Sequence, residues 1–333
     1  MNRRRPPSYT PRANQGARAT PPPTDSALPG GFEVLGSSPS SHHGPLLAPS
    51  LVEAREHLCE ALDVLAAHRE GLVVIGSHAV HERTKHVWAE STATKDSDLA
   101  VAPALISGQP QIDQVLRDVG FRPLGEFTEH AAHLRYLGQP GLWGKGFDPV
   151  GLPLAEVDLI VPETLSGGGD DDRAPASTAA HGQMATRTAL GIELAVVDRD
   201  LMPIESFTNG SVREAWVAGT AALLCAKAFK IAERLDQRLT TGRNRLRPKD
   251  GADIWRLMAA SDPCEIVETF RRLADDATVG TVACTGMKHL RRLVGSGELR
   301  HMAAQSLDNS TGEVEAVYWD WADTFLSASS EPR

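Results

Sequence analysis

No stretch of the chain approaches the roughly 18–20 consecutive apolar residues that a membrane span requires, so no transmembrane helix is expected. The arginines near the N-terminus have no apolar segment behind them, which excludes a secretory signal. Cysteine is scarce. Cys59, Cys225, Cys264 and Cys284 are scattered and none forms a Cys-x-x-Cys pair, which argues against a zinc ribbon or a disulfide scaffold and fits a cytoplasmic location. Net positive charge is missing too. The formal charge of −9 argues against broad, unspecific nucleic-acid binding, while leaving room for a local basic groove. What remains is ordinary for a globular protein: 333 residues, 41% hydrophobic and 23% charged, enough for one large or two modest domains.

Residues 1–46 are rich in Pro, Ser, Gly and Arg, and without apolar periodicity they read as a disordered, dispensable tail. Five arginines against Asp25 and Glu33 make this tail +3, so the remainder carries −12. Beyond it, Ser50 and Glu53 are spaced as a capping box. Leu51, Leu58, Leu62 and Leu65 mark one helical face, closed by Gly71.

The stretch from Gly71 to Val101 organises the rest. Leu72-Val73-Val74-Ile75 suits a short buried strand, and Gly76-Ser77 breaks it into a tight turn and a helix start. Asp96-Ser97-Asp98-Leu99-Ala100-Val101 reads as a second strand, whose period-two alternation puts Asp96 and Asp98 on one face. Two adjacent carboxylates repel, and a divalent cation relieves that repulsion. A Gly-Ser turn at the mouth of the same sheet offers backbone N–H groups to an anion. His78 and His81 lack a matching Cys or carboxylate spacing for zinc and are expected to be partly exposed at the start of the helix.

Further along, Ile112, Val115, Leu116 and Val119 suit a helix stopped by Gly120. Residues 121–127 and 133–137 look like short strands and 138–150 like a loop. In residues 154–162, LAEVDLIVP, alternation puts Glu156 and Asp158 on one face. Residues 191–198 read as another strand, and Arg187 beside it faces a phosphate or water. The pattern then turns helical. A long helix from Trp216 to Leu239 buries Val217, Ala221, Leu224, Ala228, Ile231 and Leu235. It carries Lys227, Lys230, Arg234 and Arg238 along one cationic edge. Pro248 and Asp250 open a following helix that includes Asp253, and three or four helices complete the chain.

Gly76-Ser77 followed by Asp96-x-Asp98 resembles the signature of the polymerase-beta-type nucleotidyltransferase superfamily. Thr94-x-Asp96-x-Asp98 resembles the form found in the nucleotidyl transferase AbiEii/AbiGii toxin family. Val157-Asp158-Leu159-Ile160-Val161-Pro162 is similar to the strand that carries that superfamily's third carboxylate. Ala226-Lys227-x-x-Lys230 with Arg234, then Lys249-Asp250-x-x-Asp253, is similar to the toxin family's helical motif.

The resemblance spans about residues 50–260. It implies an α/β (α+β) fold: a nucleotidyltransferase core with a small mixed sheet flanked by helices over 47–212, and a helical C-terminal domain over 213–330. It further implies that Asp96, Asp98 and Asp158 hold two Mg²⁺ ions. Gly76, Ser77, Lys227, Lys230, Arg234 and Lys249 would hold an NTP donor, and Asp250 would act in or near catalysis with Lys227. The acceptor stays open between RNA such as a tRNA end, a protein, and a small molecule of the aminoglycoside kind. A cognate antitoxin is a further partner the family implies, and a non-catalytic nucleotide sensor is the reading from another class.

Overall fold

The computed structural model describes residues 48–87, 94–126, 138–149, 151–168, 175–307 and 312–330. The expected strands at 121–127 and 133–137 fall partly or wholly outside these ranges, as do the N-terminal tail and most of the acidic run 167–172.

The fold is mixed α/β, built on an eight-stranded mixed sheet. In chain order its strands are β1 (Leu72–Ile75), β2 (Asp96–Val101), β3 (Arg122–Pro123), β4 (Leu142–Phe147), β5 (Pro153–Pro162), β6 (Arg187–Ala189), β7 (Arg199–Glu205) and β8 (Val212–Ala218). The spatial order is β3-β4-β5-β2-β1-β8-β7, and β6 adds to the end of β5. β1 runs antiparallel to β2, which lies parallel to β5. Strands β1, β2 and β5 sit at the centre, where nearly every apolar residue is buried, as expected for strands covered on both faces.

Helix α1 (Pro49–Val64) covers one face of the sheet. The Ser97 hydroxyl of β2 donates to the Ala54 carbonyl at 2.8 Å, so Asp96 and Asp98 point to the opposite face. There lie α2 (Gly76–Thr84) and α4 (Thr220–Thr241). The small α3 (Ile112–Asp118) precedes β3. After α4 come α5 (Pro248–Ala259), α6 (Pro263–Ala274), α7 (Gly280–Ser296), α8 (Glu298–Ser306) and α9 (Glu313–Ser330). Trp255 of α5 anchors this helical part by donating its indole N–H to the Val314 carbonyl at 2.9 Å. Tyr318 of α9 bonds the Val294 carbonyl at 2.6 Å. Contacts join the described residues, all within Pro45–Arg333, into one compact unit.

Several local expectations are corrected. Pro49 opens α1 with Ala48 at the cap position and no side-chain cap, so Ser50 lies inside the helix; α1 ends at Val64 and a 3-10 segment continues to Gly71. Within 121–126 only Arg122–Pro123 is extended, and Leu124–Glu126 forms a 3-10 turn. The expected loop 138–150 contains β4, which pairs with β5 from Leu142↔Asp158 to Phe147↔Pro153. The expected strand 191–198 is a 3-10 turn over Glu193–Val196. Its cause is the buried Glu193 carboxylate, which accepts from the Gly191 N–H at 2.7 Å and folds the chain back on itself.

The long helix begins at Thr220, because Trp216 and Val217 pair with Val73 and Val74 in the sheet. Asp198 then fixes the helix start, accepting from the Ala222 N–H at 2.9 Å. Strands β7 and β8 were not expected, and β8 carries the sheet across position 213.

Candidate active site

Strand pairing sets the acidic centre. β2 and β5 align in parallel with Asp96 opposite Glu156 and Asp98 opposite Asp158. Equivalent phase on neighbouring strands puts Asp96, Asp98 and Asp158 on one face. Burial and the charge of Asp98 raise the Asp96 pKa above the usual carboxylate range. Asp158 is raised to about 6, chiefly by burial and further by Asp98 and Asp96, with Arg187 pulling the other way. The acidic centre is therefore short of positive charge.

Among the described residues, Arg187 on β6 is the one cation seated on Asp158. Its Nε donates to the carboxylate at 2.8 and 3.1 Å, and a terminal nitrogen closes a forked pair. β6 continues the β5 edge from Ile160 onward, which explains why a residue 29 positions away reaches Asp158. The sequence offered Arg187 a phosphate or water; the structure gives it Asp158.

Gly76 lies directly beneath Asp98. It has φ +67, and a Cβ there would stand 1.9 Å from Asp98 Oδ2. Only glycine satisfies both the left-handed backbone and the closeness of the carboxylate. Ser77 follows inside the first turn of α2, buried, its hydroxyl donating to Asp253 Oδ2 at 3.3 Å. His78 is buried, unlike the exposed side chain expected, and burial lowers its pKa so that it stays neutral. His81 is lowered to about 4 for the same first reason.

The basic wall is less free than its sequence spacing implies. Lys227 is buried, with Nζ 2.6 Å from Asp253 Oδ2 and 3.3 Å from Asp250 Oδ1. Asp250 also meets Lys230 at 3.3 Å and Arg234 at 2.6 Å. These three cations, Lys227 first, overcome burial and hold the Asp250 carboxyl well below the usual range. Asp250 is thus a fully buried, ionised anchor that organises cations, a poor proton acceptor as it stands. Arg238, the last of the row, turns to Glu298 at 3.3 Å. Lys249 contacts the Thr94 hydroxyl at 3.4 Å, linking the start of α5 to the approach of β2.

A cavity of about 550 Å³ opens where these parts meet. Gly76, Asp98, Arg187, Lys227, Lys230 and Arg234 all line it, within the size range of small-molecule sites. Of the expected nucleotide-binding residues, Ser77 and Lys249 stand behind or beside it. Asp253, the last residue of the Lys249-Asp250-x-x-Asp253 motif, holds a basic neighbour, Lys227 of α4, and joins it to Ser77 of α2. Its i, i+3 spacing from Asp250 is the signal that pointed there. The partnership of Arg187 with Asp158 left no trace in local spacing.

The donor set suits a divalent cation in part. Among the described residues, Asp96 and Asp98 have no cation within salt-bridge distance, whereas Asp158 is held by Arg187. Among the described residues no group of three His, Cys, Asp or Glu side chains is assembled as a metal cage. No described helix is long and apolar enough to cross a membrane. Compared with protein-family models, curated proteins and solved structures, the chain matches none, so its function is read from this geometry.

Proposed function

We propose that the protein is a nucleotidyltransferase with a polymerase-beta-type core, moving an NMP from an NTP to an acceptor hydroxyl. The observation that carries this reading is Asp98 in register with Asp158, over Gly76 and at the edge of a cavity walled by Lys230, Arg234 and Arg187. Carboxylates on one side and cations on the other suit a polyphosphate whose charge must be neutralised as it reacts. The hydroxyl oxygen attacks the α-phosphorus and releases its proton to solvent, the bond to the bridging oxygen breaks, and pyrophosphate leaves with its charge held by Lys230, Arg234 and Arg187. Backbone N–H groups at the start of α2 favour the same anion. Asp96 and Asp98, with Asp158 beside them, would hold magnesium, which would supply Lewis-acid stabilisation. The toxin-family resemblance and the exposed Arg243, Arg245 and Arg247 beside the cavity favour RNA, such as a tRNA end, as acceptor.

The test is transfer of label from α-labelled NTPs to total RNA, soluble protein and an aminoglycoside panel, with Asp98→Ala beside the native protein. Label in one pool, lost in the variant, is the expected result and identifies the acceptor; equal labelling by the variant would refute the assignment. The Arg187–Asp158 pair favours one second reading, a nucleotide-binding sensor without turnover. That reading is supported if NTP binds and no pool is labelled.

A further inference from the structure

Part of the cavity lining is not used by phosphate chemistry. Besides the cations the cavity is lined by Ile160, Leu190, Ile192, Leu223, Ala226 and Phe229. Three of these, Ile160, Ile192 and Leu223, belong to the core, while Leu190 is 50% exposed and opens to the cavity without an apolar cover. An exposed large apolar side chain beside a half-buried aromatic ring, inside a concave site, is the pattern of a ligand wall.

The wall is built by a close approach. Gly191 has φ +92, and a Cβ there would lie 2.6 Å from Cβ of Phe229. Glycine at this position lets the chain after β6 lie directly on α4, bringing Leu190 and Phe229 together. His289 supports the ring from another side, edge to face at 5.0 Å. One turn along α4 from Phe229 stands the exposed Glu233 carboxylate. It accepts from Gln237 Nε2 at 2.8 Å, and Gln237 Oε1 accepts in turn from Arg245 at 3.5 Å. All three line the same cavity, so hydrogen-bonded polar groups stand in one lining with the apolar side chains.

The cavity lining therefore combines cations at Lys230, Arg234 and Arg187, apolar side chains, and the Glu233 carboxylate that accepts a hydrogen bond. We propose that Leu190, Phe229 and Glu233 form the subsite for the nucleobase of a nucleoside phosphate. The flat ring would lie against Leu190 and Phe229, and Glu233 would accept from the N–H groups at its edge. This selects bases with an exocyclic amino group over uracil, whose only edge donor lies between two carbonyls. The inference rests on the nucleotide reading above and adds the part of the ligand that reading leaves unassigned.

The experiment is equilibrium binding to the full-length protein, without divalent cations, of ATP, CTP, GTP, UTP and inorganic tripolyphosphate. The variants are Leu190→Ser, Gly191→Ala, Glu233→Gln and, as a marker of the cationic zone, Lys230→Met. The expected result is that at least one amino-bearing NTP binds about tenfold more tightly than tripolyphosphate, the order of one base–aromatic contact. Leu190→Ser and Gly191→Ala then erase most of that advantage and leave tripolyphosphate binding unchanged. Glu233→Gln brings UTP closer to the others. Leu190 is half exposed, so its variant tests the wall without disturbing the core.

If every NTP binds as tripolyphosphate does, and only Lys230→Met weakens them, the base subsite is refuted and the phosphate site stands. If no ligand binds the native protein, the nucleotide reading falls and the subsite falls with it.

Discussion

Lys227 is the residue whose replacement separates structure from ligand binding most cleanly. Lys227→Met keeps the length and apolar stem of the side chain and removes only the charge, so no cavity opens. The ammonium lies within 2.6 Å of Asp253 and 3.3 Å of Asp250, and the side chain is 7% exposed. Removing one partner of a buried ion pair costs about 3–5 kcal/mol when the other charge is left alone. Neither carboxylate is left alone here. Asp250 keeps Lys230 and Arg234, and Asp253 keeps Arg256 at 3.5 Å and Ser77. The lower end, about 3 kcal/mol, is therefore expected, or a fall in Tm of about 4–5 °C for a chain of this size.

The pH dependence has a definite sign. The folded Asp250 carboxyl titrates below its unfolded counterpart, so its stabilisation is complete above the ordinary carboxylate range and is lost as pH falls below it. The cost of Lys227→Met should therefore be largest near pH 7 and shrink below about pH 4. Urea unfolding of both proteins across pH 3–8 reads this directly. Lys230→Met is the control: that side chain is 42% exposed, and its loss is expected to change stability by under about 1 kcal/mol while weakening polyphosphate binding. A Lys227→Met cost below 1 kcal/mol at pH 7, or one that does not vary with pH, would refute the role of Lys227 as the hub joining α4 to α5.

Two further outcomes follow from the acidic centre. Gly76→Ala forces a side chain into φ +67 and onto Asp98 Oδ2; a loss of about 1–2 kcal/mol from the backbone alone is expected, with weakened Mn²⁺ binding by electron paramagnetic resonance. Unaltered Mn²⁺ binding would dissociate Asp98 from the cation. Asp158 behaves oppositely to Asp250: its folded pKa is raised to about 6, so the native state keeps a proton that the unfolded chain releases. Its contribution is present below about pH 4 and is lost as pH rises to about 6, a change of about 3 kcal/mol in metal-free protein. Asp158→Asn should flatten that segment of the stability curve, and a curve identical to the native one would show that burial does not hold the proton.

Much of the site was legible as local pattern. β1, β2 and β5 have apolar runs or strict alternation, so their strand character and the phase of Asp96, Asp98 and Asp158 followed from period two alone. α4 and α5 carry periodicity and breakers that mark them as helices, and Lys227, Lys230, Arg234, Asp250 and Asp253 fall on them as read. Strands β4, β7 and β8 were hidden because glycines, a proline and charged residues interrupt their alternation; pairing partners far along the chain make them strands. The GIELAVVD segment shows the converse. Its apolar content suits a strand, but Glu193 bonds the nearby backbone and turns it instead.

By itself, the sequence determined which face of each strand or helix the candidate site residues occupy, because backbone periodicity acts over a few residues. Only the tertiary structure decided which charges remain free. It committed Lys227 to Asp250 and Asp253, gave Arg187 to Asp158, and set Leu190 and Phe229 in the same cavity as the cations. Those pairings join positions from different strands and helices, and no local period encodes them. A buried charge takes the nearest opposite charge the fold delivers, and an apolar side chain stays exposed only where nothing in the chain covers it.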